Sequence, residues 1–324
     1  MKFPEEVLRI ANDIRLMKIR GAGRIARAAA HGLRLAAQKY KGRDRDSFIK
    51  YMREVSDMIK NTRPTAVSLP NALTYIISRL MKRYEGGYGL MELKKTVIDS
   101  AEEFISYSLH AIKRIGEIGA GRIVNGDIIM THCNSSAAIS VIVTAHLRGK
   151  SIKVYATETR PKYQGYITYK ALREKGIDVT LIPDSAARFF MKKVDKVIVG
   201  ADTVASNGAV VNKIGTSLIA LAAHEARVNF LVATETYKFS PVTVIGELVE
   251  IEERPPLEIV DEKFLKKNML IRIRNPAFDV TPPEYIDAII TEKGVIPPQA
   301  AILILKEDYG WVIKDYILKI VSEE

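Results

Sequence analysis

The chain of 324 residues predicts an α/β fold, with a helical N-terminal domain over 1–120 followed by a Rossmann-like, doubly wound parallel sheet over 121–324. Three observations predict it. Before residue 120, apolar residues recur at helical spacing and no strand-like alternation interrupts them. After Gly126, short β-branched runs alternate with helical stretches, the pattern of right-handed crossovers in a parallel sheet. The charge changes as well: residues 1–120 hold 23 Lys+Arg against 13 Asp+Glu, whereas 121–324 hold 26 against 25.

In the first half, Val7, Ile10, Ala11 and Ile14 share one helical face, and Ala26, Ala28, Leu33 and Leu35 continue the spacing. Residues 41–46 form a charged turn. Further helices are expected over 47–60 and 91–118, and Gly119-Ala120-Gly121 reads as the domain boundary. In the second half, strands are expected at 127–131, 152–156, 178–182, 195–199 and 229–233. Helices are expected between them, at 136–148, 163–175, 185–192 and 213–226. The tail holds a turn at Thr281-Pro282-Pro283, further strands and a final amphipathic segment.

Composition bounds the function. An apolar content of 47% supports a large core. No run of 18 apolar residues is present, so no membrane partner is expected. The first residues carry acids and no apolar core, unlike a secretory signal. The single cysteine excludes an intramolecular disulfide and points to the cytoplasm. Gln is rare beside abundant Lys, Arg and Glu, a hint of heat adaptation. The basic first half fits either an anionic partner (RNA or a phosphorylated small molecule) or a solvated basic surface. No recognised RNA-binding module appears, so nucleic acid is not the expected partner.

In a doubly wound sheet, ligands collect at the carboxyl ends of the strands. Those ends are expected at 131–136, 157–160, 183–185, 200–203 and 233–238. Cys133 lies at the first, as a base, a nucleophile or a buried inert thiol. His132 is its chain neighbour, but adjacent strand residues face opposite ways, so the two form no catalytic pair. The five histidines have no metal-ligand spacing, and no metal or other cofactor is expected. Arg160 and Gln164 lie at the second end; Glu158 could hold Arg160 in place or form a surface salt bridge with it. Asp202 ends an apolar strand as general acid, hydroxyl acceptor or helix cap. Asn207-Gly208 reads as a tight turn. Asn212 and Lys213, with Gly215, are expected to open a helix as an anion site, and Lys238 adds a cation. Ser135 and Ser136 complete the first loop.

Gly21-Ala22-Gly23-Arg24-Ile25-Ala26 imitates a dinucleotide fingerprint, with Asp44 and Asp46 about 20 residues on. A helix and not a strand precedes it, however, and no βαβ unit follows. What remains is a small-residue turn at a helix N-terminus, with Arg20, Arg24 and Arg27 able to fork onto phosphate, or a simple hinge. One thiol, one carboxylate and several cations at one sheet edge suit proton transfer on a phosphorylated substrate.

The motifs Thr131-His132-Cys133-Asn134, Glu158-Thr159-Arg160-Pro161 with Gln164-Gly165, Val199-Gly200-Ala201-Asp202, Asn207-Gly208, Asn212-Lys213-Ile214-Gly215-Thr216, 275–282 (NPAFDVTP) and Arg63-Pro64-Thr65 closely resemble one superfamily. It contains methylthioribose-1-phosphate isomerase, archaeal ribose-1,5-bisphosphate isomerase and the regulatory α, β and δ subunits of eukaryotic translation initiation factor 2B. The resemblance runs from Arg20 to about Pro298. It implies that Cys133 and Asp202 are the catalytic pair, which the translation-factor branch typically lacks. Arg20-Gly21-Ala22-Gly23-Arg24 stands where methylthioribose enzymes usually carry Arg-Gly-Ala-Pro, and a second substrate phosphate would explain the extra charge. The pattern looks most like the archaeal ribose-1,5-bisphosphate isomerases. The implied reaction is aldose–ketose isomerisation of α-D-ribose 1,5-bisphosphate to ribulose 1,5-bisphosphate, within nucleoside monophosphate (AMP) degradation. The alternatives are methylthioribose-1-phosphate isomerisation and a non-catalytic regulatory role. The implied partner is a sugar bisphosphate, held by Arg20, Gly21, Ala22, Gly23, Arg24, Arg63, Ser135, Ser136, Arg160, Gln164, Asn212, Lys213 and Lys238. Assembly as a homo-oligomer, a dimer or trimer of dimers, is also implied. The reaction requires the Cys133 thiolate, and nearby positive charge and a helix N-terminus are expected to lower its pKa; burial is expected to raise that of Asp202.

Overall fold

The computed structural model describes residues 2–63, 65–268 and 270–310. The amphipathic segment expected at the chain's end falls largely on 311–324, and Pro64 of the Arg63-Pro64-Thr65 motif is a single position; both lie outside the described residues. Packing divides the chain into two units, Met1–Ala111 and Ile112–Glu324.

The first unit is helical: α1 (Glu5–Arg15), α2 (Ala22–Lys39), α3 (Arg45–Lys60), α4 (Ser68–Glu85) and α5 (Leu90–Gly119), the last running across the division. Each apolar stripe turns inward. Val7, Ile14, Ile25, Leu33, Phe48, Met52, Ile59, Leu69, Leu73 and Leu80 are all buried, and such burial, at roughly 1.5–3 kcal/mol per large side chain, holds the helices together. Asp44 caps α3 by accepting from the Ser47 amide, and Asp46 accepts from the Tyr84 hydroxyl at 2.7 Å. Both acids therefore serve local structure.

The second unit is built on a sheet: β1 (Ile128–Thr131), α6 (Ser136–Leu147), β2 (Lys153–Thr157), α7 (Gln164–Arg173), β3 (Asp178–Ile182), α8 (Ala187–Met191), β4 (Lys196–Val199), β5 (Thr203–Val204), β6 (Val210–Lys213), α9 (Thr216–Ala226), β7 (Asn229–Ala233), α10 (Glu262–Lys267), β8 (Phe278–Thr281), β9 (Ala288–Thr291) and β10 (Gly294–Ile296). The main sheet runs β10-β9-β7-β4-β1-β2-β3. Its neighbours are parallel except for the β9–β10 hairpin at one edge. The chain winds one way from β1 through β2 to β3, then returns to place β4 on the other side of β1. The order reverses between β1 and β4, and that junction is where a doubly wound sheet opens a crevice.

Pleating sorts the strands' side chains onto two cores. Ile129, Val154, Ala156, Ile198 and Leu231 pack with α6 residues Val141 and Ile142 on one face. Met130, Val197, Val199, Phe230 and Val232 pack with α9 residues Ile219 and Ala223 on the other.

A second, antiparallel sheet, β5-β6-β8, was not expected from sequence. It corrects the placement of Lys213. The expected helix over 213–226 starts only at Thr216, and Lys213 is the last residue of β6, paired with Phe278 of β8. The turn at Asn207-Gly208 does form, joining β5 to β6 with Gly208 at φ +86°.

Candidate active site

The loops after β1, β2, β3 and β4 converge at the carboxyl edge of the main sheet. Two glycines permit the approach. A Cβ on Gly200, just after β4, would meet Ser135 Oγ at 2.3 Å, so the loop after β1 lies directly over the end of β4. A Cβ on Gly165 would meet the Thr157 carbonyl oxygen at 1.7 Å, so the first turn of α7 sits on the end of β2.

Cys133 is two residues beyond β1, half-buried, with φ +64°. Its thiol is pushed up to about 11. Burial is the main cause; Asp202 and Asp184 add to it, and Lys213 opposes them. The expected lowering is therefore reversed. A cation and a helix N-terminus are present as expected, but the topology also brings two carboxylates to the same thiol. Asp202, half-buried after β4, donates its own amide to the Val211 carbonyl at 3.0 Å. Cys133, Asp202 and Lys213 thus form one electrostatic group.

A hydrogen-bonded frame surrounds the thiol. His132 is buried, with Nε2 2.9 Å from the Ile214 carbonyl and Nδ1 2.6 Å from Thr157 Oγ1. Burial lowers its pKa against the pull of Asp184, so the ring is neutral. A carbonyl only accepts, so Nε2 carries the proton and the Thr157 hydroxyl donates to Nδ1. The ring ties the end of β1 to the loop after β6. Asp184, following β3, accepts from the Thr159 and Arg160 amides, each at 2.7 Å. Asp279 of β8 accepts from the Gly215 and Ser217 amides at 2.7 and 3.1 Å and caps α9. Burial lifts its pKa to about 6, against those two amides and Lys213. His132, Thr157, Thr159, Asp184 and Asp279 were not read as site residues from sequence. Thr157 and Asp184 were signalled only by their position at strand ends, whereas His132, Thr159 and Asp279 also lie within the motifs that carry the resemblance.

The other expected contacts vary. Ser135 Oγ accepts from the Ala138 amide and caps α6, and Ser136 is exposed in that helix's first turn. Asn212 is buried and donates to Thr216 Oγ1 at 3.0 Å. Gln164 opens α7 with its Oε1 buried and unpaired. Arg160 turns to Tyr163 rather than to Glu158, donating to its hydroxyl at 2.6 Å. Lys238 is buried in an ion pair with Glu235 at 2.7 Å. Burial opposes the Glu235 charge, but Lys238 and the Tyr237 hydroxyl hold its pKa below the ordinary range. Lys238 is therefore a neutralised cation and not a free one.

In the first unit, Gly21 has φ +86° and precedes α2, whose first residues are Ala22, Gly23 and Arg24. Arg20 and Arg24 are exposed, and Arg20 Nε donates to the Met17 carbonyl at 2.8 Å. Ser68 donates to the Ala22 carbonyl at 2.9 Å, bringing the loop after buried Arg63 beside this turn. Among the described residues, no group of three or more His, Cys, Asp or Glu could hold a metal ion. No helix among them is long and apolar enough to cross a membrane.

Comparison with known proteins agrees with this architecture. A ribose 1,5-bisphosphate isomerase of Thermococcus kodakarensis is 56% identical over 317 residues, covering 97% of this chain and 98% of that protein. One from Pyrococcus furiosus is 57% identical over 312 residues, covering 95% and 96%. The crystal structure of the Pyrococcus horikoshii translation initiation factor eIF-2B superposes with a TM-score of 0.79 at 33% identity, covering 92% of this chain and 99% of that one. The initiation factor 2 subunit family matches residues 18–298, and the chain belongs to that family.

Proposed function

We propose that this protein is an aldose–ketose isomerase that converts ribose 1,5-bisphosphate to ribulose 1,5-bisphosphate, with Cys133 as base and Asp202 as acid. The observation that carries the reading is a thiol and a carboxylate at the ends of adjacent parallel strands, β1 and β4, at the point where the strand order reverses. Two relatives of that activity match over nearly the full chain.

The pair supplies the two proton transfers that the reaction needs. C1 is blocked as a glycosyl phosphate, so the ring must open as the C2 proton leaves. Cys133 thiolate takes that proton, the C2–H electrons form a C1=C2 double bond, and the C1–O4 pair moves onto O4. Asp202 protonates O4. The enol phosphate then takes a proton at C1 from Cys133, while its C2 hydroxyl proton passes to Asp202. The product is a C2 ketone, and each group has regained its starting form. The working pair holds one proton, on the carboxylate. The resting thiol is protonated partly because Asp202 is charged beside it. Moving that proton to Asp202 keeps the net charge and removes one cause of the high thiol pKa.

Lys213, close enough to stabilise thiolate, also suits a substrate phosphate. The α6 N-terminus at Ser135 and Ser136, Asn212 and Gln164 offer hydrogen bonds for phosphate and sugar hydroxyls. Gln164 Oε1 is a buried acceptor in want of a donor. Arg20, Gly21, Ala22, Gly23 and Arg24 form a basic turn fit for phosphate, with Arg63 before the neighbouring loop; in the second unit Arg160 adds charge, whereas Lys238, paired with Glu235, offers only a hydrogen-bond donor. We also propose a cytoplasmic homo-oligomer, with Phe189 of α8 and Leu218 of α9, 77% and 72% exposed, as candidate contacts between copies. Phosphorus NMR with ribose 1,5-bisphosphate and, separately, methylthioribose 1-phosphate tests the assignment. Turnover of the first alone is expected, and turnover of the second alone would refute it.

A further inference from the structure

Cys133 holds its left-handed backbone without the usual means. At φ +64° it lies where glycine or asparagine normally sits. Such a conformation persists in another residue only when its surroundings over-determine it. Here two threonine hydroxyls take both of its main-chain groups. The Cys133 amide donates to Thr159 Oγ1 at 2.9 Å. Thr168 Oγ1 donates to the Cys133 carbonyl at 2.7 Å and reaches Asn134 Oδ1 at 3.3 Å.

Each threonine is itself fixed. Both are buried. Thr159 has φ +62°, its amide donates to Asp184 Oδ1 at 2.7 Å, and its hydroxyl donates to the Thr157 carbonyl at 3.3 Å. Thr168 faces inward one turn along α7 from Gln164, on the helix that Gly165 seats against the end of β2. The clamp therefore runs from β2 and α7 to the loop after β1. Both hydroxyls bond the backbone of Cys133 and not its sulfur, so they act through the position of that residue.

We propose that Thr159 and Thr168 are positioning residues that clamp Cys133 in its left-handed conformation and so set where its thiol points and how readily it reacts. Their catalytic consequence rests on the reading of Cys133 as the base.

Because Cys133 is the only cysteine, alkylation by iodoacetamide reports on this thiol alone. The experiment compares the wild type with Thr168→Val, Thr168→Ser, Thr159→Val and Thr159→Ser, measuring Cys133 alkylation at pH 8 and the kinetics with ribose 1,5-bisphosphate. The valine variants keep the branched shape but lose the hydroxyl. They are expected to lower kcat about tenfold or more with little change in KM, and to shift the alkylation rate several-fold, because a small misplacement of a reacting group is costly. The serine variants are expected to restore both readings to within about twofold. If a valine variant does not fold, Thr168→Ala takes its place, with Thr168→Ser as its control. Unchanged alkylation in folded valine or alanine variants overturns the clamp, as does a serine variant as impaired as its valine partner. Should the wild type fail to turn over the sugar bisphosphate while alkylation still follows the hydroxyls, the clamp stands and the isomerase reading falls.

Discussion

At the scale of single residues, the central fact is a thiol raised by burial and by two carboxylates, with one lysine working against them. Each influence can be removed separately. Lys213→Met takes away the stabilising charge, so Cys133 should alkylate more slowly at fixed pH; Asp202→Asn removes a destabilising one and should speed it. Alkylation rates at pH 8 check both, and changes in the same direction would show that the two side chains do not oppose each other at this sulfur. Cys133 and Asp202 were legible from sequence because each follows a short apolar run, and strand ends are where such a sheet places its chemistry. The backbone of Cys133 was not legible, since nothing in Thr-His-Cys-Asn announces a positive φ. His132 was set aside by strand alternation, yet the strand ends at Thr131 and the ring turns inward to join two loops.

At the scale of elements, the cap of α9 carries a measurable pH dependence. Asp279 has its pKa raised from 3.8 to about 6, so the native protein binds this proton more tightly than the unfolded chain does. The associated stability is fully present below about pH 4 and is lost as pH rises through about 6. Asp279→Asn abolishes that dependence. Above neutrality the variant should be the more stable by about 3 kcal/mol, with the difference closing in acid. Urea unfolding between pH 4 and 8 checks this, and a difference that ignores pH would contradict it. Gly165→Ala forces a methyl against the Thr157 carbonyl, where it would lie at 1.7 Å. It should destabilise the protein by about 3 kcal/mol in the same assay, a cost typical of overpacking, and slow turnover as α7 shifts Thr168. An unchanged unfolding midpoint would refute this. Strands β1, β2, β3, β4 and β7 were legible because each is an apolar run bounded by turns. The second sheet was not: β5 has two residues, and β6 meets its partner β8 across more than 60 residues of chain. Without β8, Lys213 reads as the start of the apolar helix that follows.

At the scale of the whole molecule, local pattern gives the strands but not their neighbours. The pairing of β1 with β4 is a long-range fact of topology, and it alone makes a pair of Cys133 and Asp202. Alternation of strand and helix implied right-handed crossovers and ligands at the carboxyl ends of the strands, but not where the strand order reverses. The first unit's helices were legible in kind from their apolar spacing, although α4 was not singled out. The proposed function requires one proton-transfer pair acting on one sugar bisphosphate. Its most direct test follows ribose 1,5-bisphosphate by carbon-13 NMR with the wild type, Cys133→Ser and Asp202→Asn. Conversion to ribulose 1,5-bisphosphate by the wild type, with a loss of about 10²–10⁴-fold in each variant, is the predicted result; full activity in either variant, or no conversion by the wild type, would contradict it.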